Sequence, residues 1–155
     1  MRIAFYRGTD LIDKLILFVC RGGYSHVAIV LNNETIIEAY PFKGVRQRQN
    51  ISDQMKKCVV DIYEVSTTPE QDSVIHDFLK QQLGKKYDWV AILGFVLHTS
   101  EEGRKAYGRW ICSELVFATF RKASIKLLER INAWKVSPTI LSYNTTMKFV
   151  ERKQI

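Results

Sequence analysis

Cysteine is scarce in this 155-residue chain: Cys20, Cys58 and Cys112 are the only three. An odd number with no C-x-x-C spacing excludes a disulfide scaffold and offers neither a zinc ribbon nor a redox pair. A reducing compartment fits that usage. Long apolar runs are missing too. The longest uncharged one, Trp89 to Leu97, falls far below the ~20 residues that cross a bilayer. No secretion signal is expected: the apolar stretch Ile3 to Tyr6 ends at Arg7, and Leu15 to Cys20 lacks a small-residue cleavage site. A soluble, cytoplasmic chain is expected. Internal repeats and low-complexity segments are also absent. With 46% hydrophobic, 25% charged and 12% aromatic residues, the composition is that of a globular protein and excludes a disordered or fibrous one. A chain of this size buries roughly 68–70% of its unfolded surface without staples, so a single domain spanning 1–155 is expected.

Charge is uneven. The net charge is +7, and from Arg121 onward eight basic residues face only Glu129 and Glu151. Nearly all of the excess is therefore C-terminal. A solvated, solubilising face is the first reading. An attractive patch for an anionic polymer or membrane surface is the second. No run of adjacent basic residues exceeds two, so specific nucleic-acid binding is not expected.

Hydrophobic patterning predicts a strand over Arg2 to Tyr6, then a helix capped by Asp10 and stopped at Gly22-Gly23. Runs at His26 to Leu31 and Thr35 to Tyr40, separated by Asn32-Asn33-Glu34, predict a hairpin. Gln47 to Lys57 reads as a polar loop and Val59 to Val65 as a strand pairing with that hairpin, giving three or four antiparallel strands. Thr68-Pro69-Glu70 starts a helix with Val74, Ile75, Phe78, Leu79 and Gln82 on one face, stopped at Gly84. Trp89 to Leu97 fits a buried helix or a strand, and Thr99 to Gly108 a loop. Cys112 to Ala123 is the clearest second helix, with Leu115, Val116, Thr119 and Phe120 at helical spacing. A short helix over Ser137 to Tyr143 and a last strand over Met147 to Val150 complete the α+β expectation.

Three residue types could do chemistry together. Cys112 opens a helix, where unpaired N–H groups and the positive dipole end favour a thiolate and could bind an oxyanion. The competing reading is a small buried hydrophobe. Cys20 and Cys58 read as structural or incidental. A thiol needs a base: His26 starts an apolar strand, His98 enters a polar loop, and His76 sits on a helix flank and reads as solvated. Glu38 is a carboxylate inside an otherwise apolar strand, flanked by Ile37 and Ala39, an unusual place for one. A three-residue turn over Asn32 to Glu34 puts Ala28 opposite Glu38 and His26 opposite Tyr40. Glu38 and His26 are then diagonal neighbours on one face, ~7–8 Å apart at the backbone. A two-residue turn inverts the pattern and separates them.

The segments Tyr24-Ser25-His26-Val27-Ala28-Ile29-Val30, Ile36-Ile37-Glu38-Ala39-Tyr40, Gly84-Lys85-Lys86-Tyr87-Asp88 and Trp110-Ile111-Cys112-Ser113-Glu114-Leu115-Val116 together resemble the circularly permuted NlpC/P60 superfamily. Within it the chain is similar to the YiiX/YaeF-like permuted papain-fold hydrolases, which include bacterial, phage and poxvirus members. The resemblance runs from about Gly22 to Pro138. Each piece alone is weak, and their order is what makes them specific. Histidine precedes cysteine, as in permuted members, and such a constellation is defined by geometry, not by chain order. The resemblance implies a permuted papain-like fold, with an antiparallel sheet packed on helices. It also implies Cys112 as nucleophile, His26 as general base and then acid, Glu38 as the group orienting His26, and Tyr87 near the substrate. It implies an amidase or peptidase acting on peptide bonds, cell-wall stem peptides among them, with no metal or organic cofactor. A lipid-directed thiol acyltransferase or deacylase on the same three residues, and a catalytically silent binding module of the same fold, are the alternatives.

Overall fold

The computed structural model describes residues 1–9, 14, 17, 22–31, 35–51, 58–92, 108–129, 131–132 and 135–155. Among these residues eight strands are seen: β1 (Arg2–Arg7), β2 (His26–Val30), β3 (Ile36–Tyr40), β4 (Gly44–Arg48), β5 (Val59–Glu64), β6 (Lys86–Tyr87), β7 (Arg109–Trp110) and β8 (Lys148–Gln154). The helices are α1 (Pro69–Gln82), α2 (Cys112–Lys122) and α3 (Pro138–Ser142). The expected helix after Asp10 lies mostly outside the described residues, as do the Asn32–Glu34 turn and the greater part of 89–108. Residues 89–92 are helical.

Six strands form one antiparallel sheet in the order β4-β3-β2-β1-β5-β8. The α+β expectation with an antiparallel sheet holds, but the strand count and one pairing are corrected. β5 pairs with β1 and β8, not with the β2–β3 hairpin. β1 lies between them because its two faces are both apolar, which suits a central position. β4 occupies Gly44 to Arg48, whose end had read as loop. Its sequence GVRQR is too polar to show as a strand, and it is stabilised by what it carries toward β3.

All five residues of β2 are buried, since both faces of the sheet are covered. On one face Ile3, Phe5, Val27, Ile29, Ile37, Ala39 and Val45 join α1 and α2 in the larger core. On the other, Ala4, Tyr6, Ala28, Val30, Ile36, Val60 and Ile62 form a second cluster, completed by Ile51 and Cys58. Cys58 is thus a core residue.

Both long helices begin and end where local chemistry directs. Thr68 caps α1 through a capping box with Gln71 and places Pro69 in the first turn. Ile75, Leu79 and Gln82 of α1 are buried and Phe78 partly so, whereas Val74 is exposed. The apolar stripe is one position narrower than its spacing implies. In α2 the expected set of Leu115, Val116, Thr119 and Phe120 is fully buried against β2 and β3, and Leu115 and Phe120 each contribute roughly 1.5–3 kcal/mol by leaving water. Ser113 anchors the helix start by donating to Val136 O at 2.6 Å. α3 has Ser137 as its cap.

The β3–β4 turn packs closely on the segment before β6. Val45 N donates to Lys85 O at 2.8 Å, and Gly84 N to Val45 O at 2.9 Å. Gly44 has φ +71°, and a Cβ there would collide with the Lys85 carbonyl oxygen. In the same turn Phe42 has φ +62°, a conformation that costs a non-glycine residue on the order of 1–3 kcal/mol. Gly44→Ala is expected to lower the thermal midpoint more than Gly84→Ala. Both residues have positive φ, but Gly84 has open space at the Cβ position. Equal losses by calorimetry would show that backbone conformation alone, without the Lys85 contact, sets the cost.

Candidate active site

The β2–β3 hairpin has the register of a three-residue turn: Ile29 pairs with Ile37 and Val30 with Ile36, and Leu31 N donates to Thr35 O at 2.7 Å. That register puts His26 and Glu38 on one face. The His26 Nε2–H donates to Glu38 Oε2 at 2.8 Å, because an ionised carboxylate can only accept. His26 lies between two tyrosine rings, with centroids 5.5 Å away at Tyr6 and 5.7 Å at Tyr40. Its remaining nitrogen, Nδ1, is not engaged by Glu38, and Cys112 at the start of α2 lies near enough to act on the ring.

Cys112 is the first residue of α2, with Ile111 as N-cap and no side chain capping the helix. The first intrahelical bond is from Leu115 N to Ile111 O, 3.0 Å. The amides of the first turn have no acceptor within the helix and bring the positive dipole end to the thiol. Glu114 lies in the first turn. Burial and then the charge of Asp88 push the Glu114 carboxyl up to about 7, against the Ile111 backbone N–H, which acts to lower it. Asp88 itself is buried and accepts from Val90 N and Ala91 N, both at 3.0 Å.

Two arginines that the sequence reading passed over complete the site. Arg46 stands opposite Glu38 in the β3–β4 ladder and Arg48 two residues on, so both share its face. Arg46 Nε and Nη2 approach Glu38 Oε1 at 2.9 and 2.8 Å. Arg48 Nε donates to the same oxygen at 2.8 Å and its Nη2 to Oε2 at 3.4 Å. Arg46 also lies over the Tyr40 ring, 4.2 Å from its centre. Alternating arginines opposite a buried acid are a legible signal only once β4 is known to be a strand.

Burial acts to raise the Glu38 carboxyl, but His26, and then Arg48 and Arg46, hold it down at about 2. Burial acts to lower the His26 imidazole, but the adjoining Cys112 and Glu38 outweigh it and push it up to about 10. A carboxylate and an imidazolium therefore face each other at neutral pH. Both His26 and Cys112 are nearly closed off, 4% and 5% exposed.

The structure thus brings together Cys112, His26 and Glu38. Tyr87 lies beside them: β6 and β7 pair Tyr87 with Trp110, two residues before Cys112, and the Tyr87 ring packs on Trp89 with centroids 5.2 Å apart. His76 is half-buried on α1 rather than fully solvated. His98 and Cys20 lie outside the described residues.

No family model matches the sequence, and no curated protein does. Among solved structures, the crystal structure of the metalloprotein yiiX from Escherichia coli O157:H7, DUF1105, has a TM-score of 0.69 with this chain. The likeness covers 98% of this chain and 96% of that one at 18% sequence identity. The two chains share a fold. No helix among the described residues is long and apolar enough to cross a membrane.

The Glu38–His26 pair makes stability depend on pH with a definite sign. With its carboxyl lowered from 4.5 to about 2, Glu38 contributes stability that is complete above pH 4.5 and is lost as pH falls toward 2. With its imidazole raised from 6.5 to about 10, His26 contributes stability that is complete below pH 6.5 and is lost as pH rises toward 10. The difference in thermal midpoint between wild type and Glu38→Gln is therefore expected to be fully present above pH 4.5, to shrink as pH falls toward 2, and to shrink again as pH rises toward 10, where wild-type His26 loses its proton. Taking the difference cancels the opposing contribution of Glu114. A difference independent of pH, measured by differential scanning fluorimetry, would show that the pair is not ionised.

Proposed function

We propose that the protein is a cysteine hydrolase of the amidase or peptidase type, with a permuted papain-like arrangement of Cys112, His26 and Glu38. The observation that supports this most directly is the His26 ring, bonded to the Glu38 carboxylate at 2.8 Å and close enough to Cys112 to be influenced by it. A nucleophile, a base within reach of it and a third group orienting the base form the working unit of covalent acyl transfer.

The Cys112 sulfur, its proton held on His26 Nδ1, attacks the substrate carbonyl carbon. A C–S bond forms and the carbonyl π electrons move to oxygen. That oxyanion is stabilised by first-turn amides of α2. Collapse of the intermediate breaks the bond to the leaving group, and His26 passes its proton to the departing amine. Water then attacks the thioester, giving one proton to His26. The C–S bond breaks, the carboxylic acid product leaves, and Cys112 and His26 return to their starting state. Glu38 keeps the ring aimed throughout, and the two arginines keep Glu38 from rotating or taking up a proton. The preference for a peptide or cell-wall amide rests on the family resemblance.

The structural neighbour is a metalloprotein, so a metal reading needs its own test. Among the described residues no three His, Cys, Asp or Glu side chains converge in a way that could hold a metal ion. Glu38, the one carboxylate at the site centre, has both oxygens taken up by His26, Arg46 and Arg48. Two guanidinium groups there oppose a further cation. The described residues do not fit a metal centre at Glu38.

The burial of Cys112 favours one rival, a binding module of the same fold without turnover. Alkylation separates the two. Iodoacetamide is expected to label Cys112 selectively in the folded protein, well ahead of Cys58. His26→Ala is expected to slow that labelling at pH 6 several-fold, and Cys112→Ala to abolish hydrolysis across a panel of peptide amides while leaving the fold intact. Buried Cys58 serves as the internal reference, read by mass spectrometry. Labelling of Cys112 only on unfolding would favour the binding module.

A further inference from the structure

The β3–β4 turn carries the most exposed large hydrophobic side chain among the described residues: Phe42, 78% exposed and held at φ +62°. It is not isolated. Its ring lies 4.6 Å from that of Trp89, itself 41% exposed, which packs on Tyr87. Three lysines belong to the same two segments: Lys43, next to Phe42, and Lys85 and Lys86, whose backbone abuts Gly44 and Val45. Lys43 and Lys86 are exposed, and Lys85 donates to Gln82 Oε1 at 2.6 Å. The nearest described carboxylate in these segments, Asp88, is buried and occupied by helix N–H groups. Among the described residues of these two segments, the exposed charges beside the aromatic pair are those of lysines.

We propose that this tip is a docking surface for an anionic lipid bilayer, with Phe42 and Trp89 entering the interface and the lysines meeting the headgroups. Two observations point to a surface and not to a small ligand. Small-molecule sites are concave and bury their lining, whereas a ring 78% exposed at a turn protrudes. And Trp and Phe flanked by lysines combine the two attractions that hold a peripheral protein to a charged membrane, apolar insertion and headgroup charge. The tip also has a fixed relation to the candidate active site. Phe42 follows β3, which carries Glu38, and Trp89 follows β6, whose partner β7 leads directly into Cys112. Docking by the tip would hold the site at the lipid surface.

Vesicle sedimentation of the full chain tests this without reference to catalysis, so a failed hydrolase reading leaves its outcome untouched. The protein is expected to sediment with vesicles of phosphatidylcholine mixed with phosphatidylglycerol and not with phosphatidylcholine alone, with a blue shift in tryptophan emission. Phe42→Gly should weaken the partition by about tenfold or more. Glycine accepts the positive φ, so this variant should fold at least as stably as wild type, as its thermal midpoint will show. Lys43→Glu combined with Lys86→Glu should abolish binding. Undiminished binding of Phe42→Gly, or loss of binding only on reversing Lys148 and Lys153, would overturn the assignment and move docking to the C-terminal basic face. An equal emission shift with monomeric short-chain phosphatidylglycerol would overturn it in favour of a ligand site.

Discussion

A single buried carboxylate organises the candidate site of this molecule. Glu38 sits in the middle of an apolar strand, and ionising it there costs several kcal/mol unless partners replace water. Three do so: His26, Arg46 and Arg48 share its two oxygens. The same contacts have two effects. They hold β4 against β3 although β4 has little apolar surface of its own, and they keep the imidazole of His26 aimed and protonated. Losing any one partner exposes the others to the same desolvation penalty, so stability and site geometry are coupled at this point. The wall built by Tyr6 and Tyr40 around the ring belongs to the same arrangement, since it denies His26 an alternative orientation.

The thiol is presented by different means. Cys112 depends on the position of a helix end, and that end is fixed from outside the sheet, by the buried hydroxyl of Ser113 on Val136 and by the buried face of α2 against β2 and β3. The site therefore joins a sheet-borne acid–base pair to a helix-borne sulfur, and the join depends on core packing between them.

Much of this was legible before any coordinates. Thr68 announced its helix because a capping hydroxyl is a local signal, independent of tertiary context. Glu38 and His26 were legible because polar side chains on apolar strands need a reason, and the alternating side-chain direction of strands left only two turn lengths to choose between. What stayed hidden was long-range. β5 reads as a strand, but nothing in Val59 to Glu64 says that its partner is β1. β4 was missed because its residues are chosen to pair with a charge, not to fill a core, and with it went Arg46 and Arg48. Val74 shows the same limit on a helix: spacing defines a stripe, but the width of the groove it meets is a property of the neighbours.

The order in which the parts leave the ribosome follows from this division. His26, Glu38, Arg46 and Arg48 lie on three consecutive strands joined by short connections, so their pairings are local and can form early. The sulfur comes later, from the far side of α1, and its helix is not locked until Val136 has been made. β5, needed to flank β1, gains its second neighbour only when the last strand of the chain arrives. A nascent or truncated chain can thus carry the folded acid–base half without a seated thiol. The seat of the Cys112 thiol waits on residues well downstream of the strands that face it.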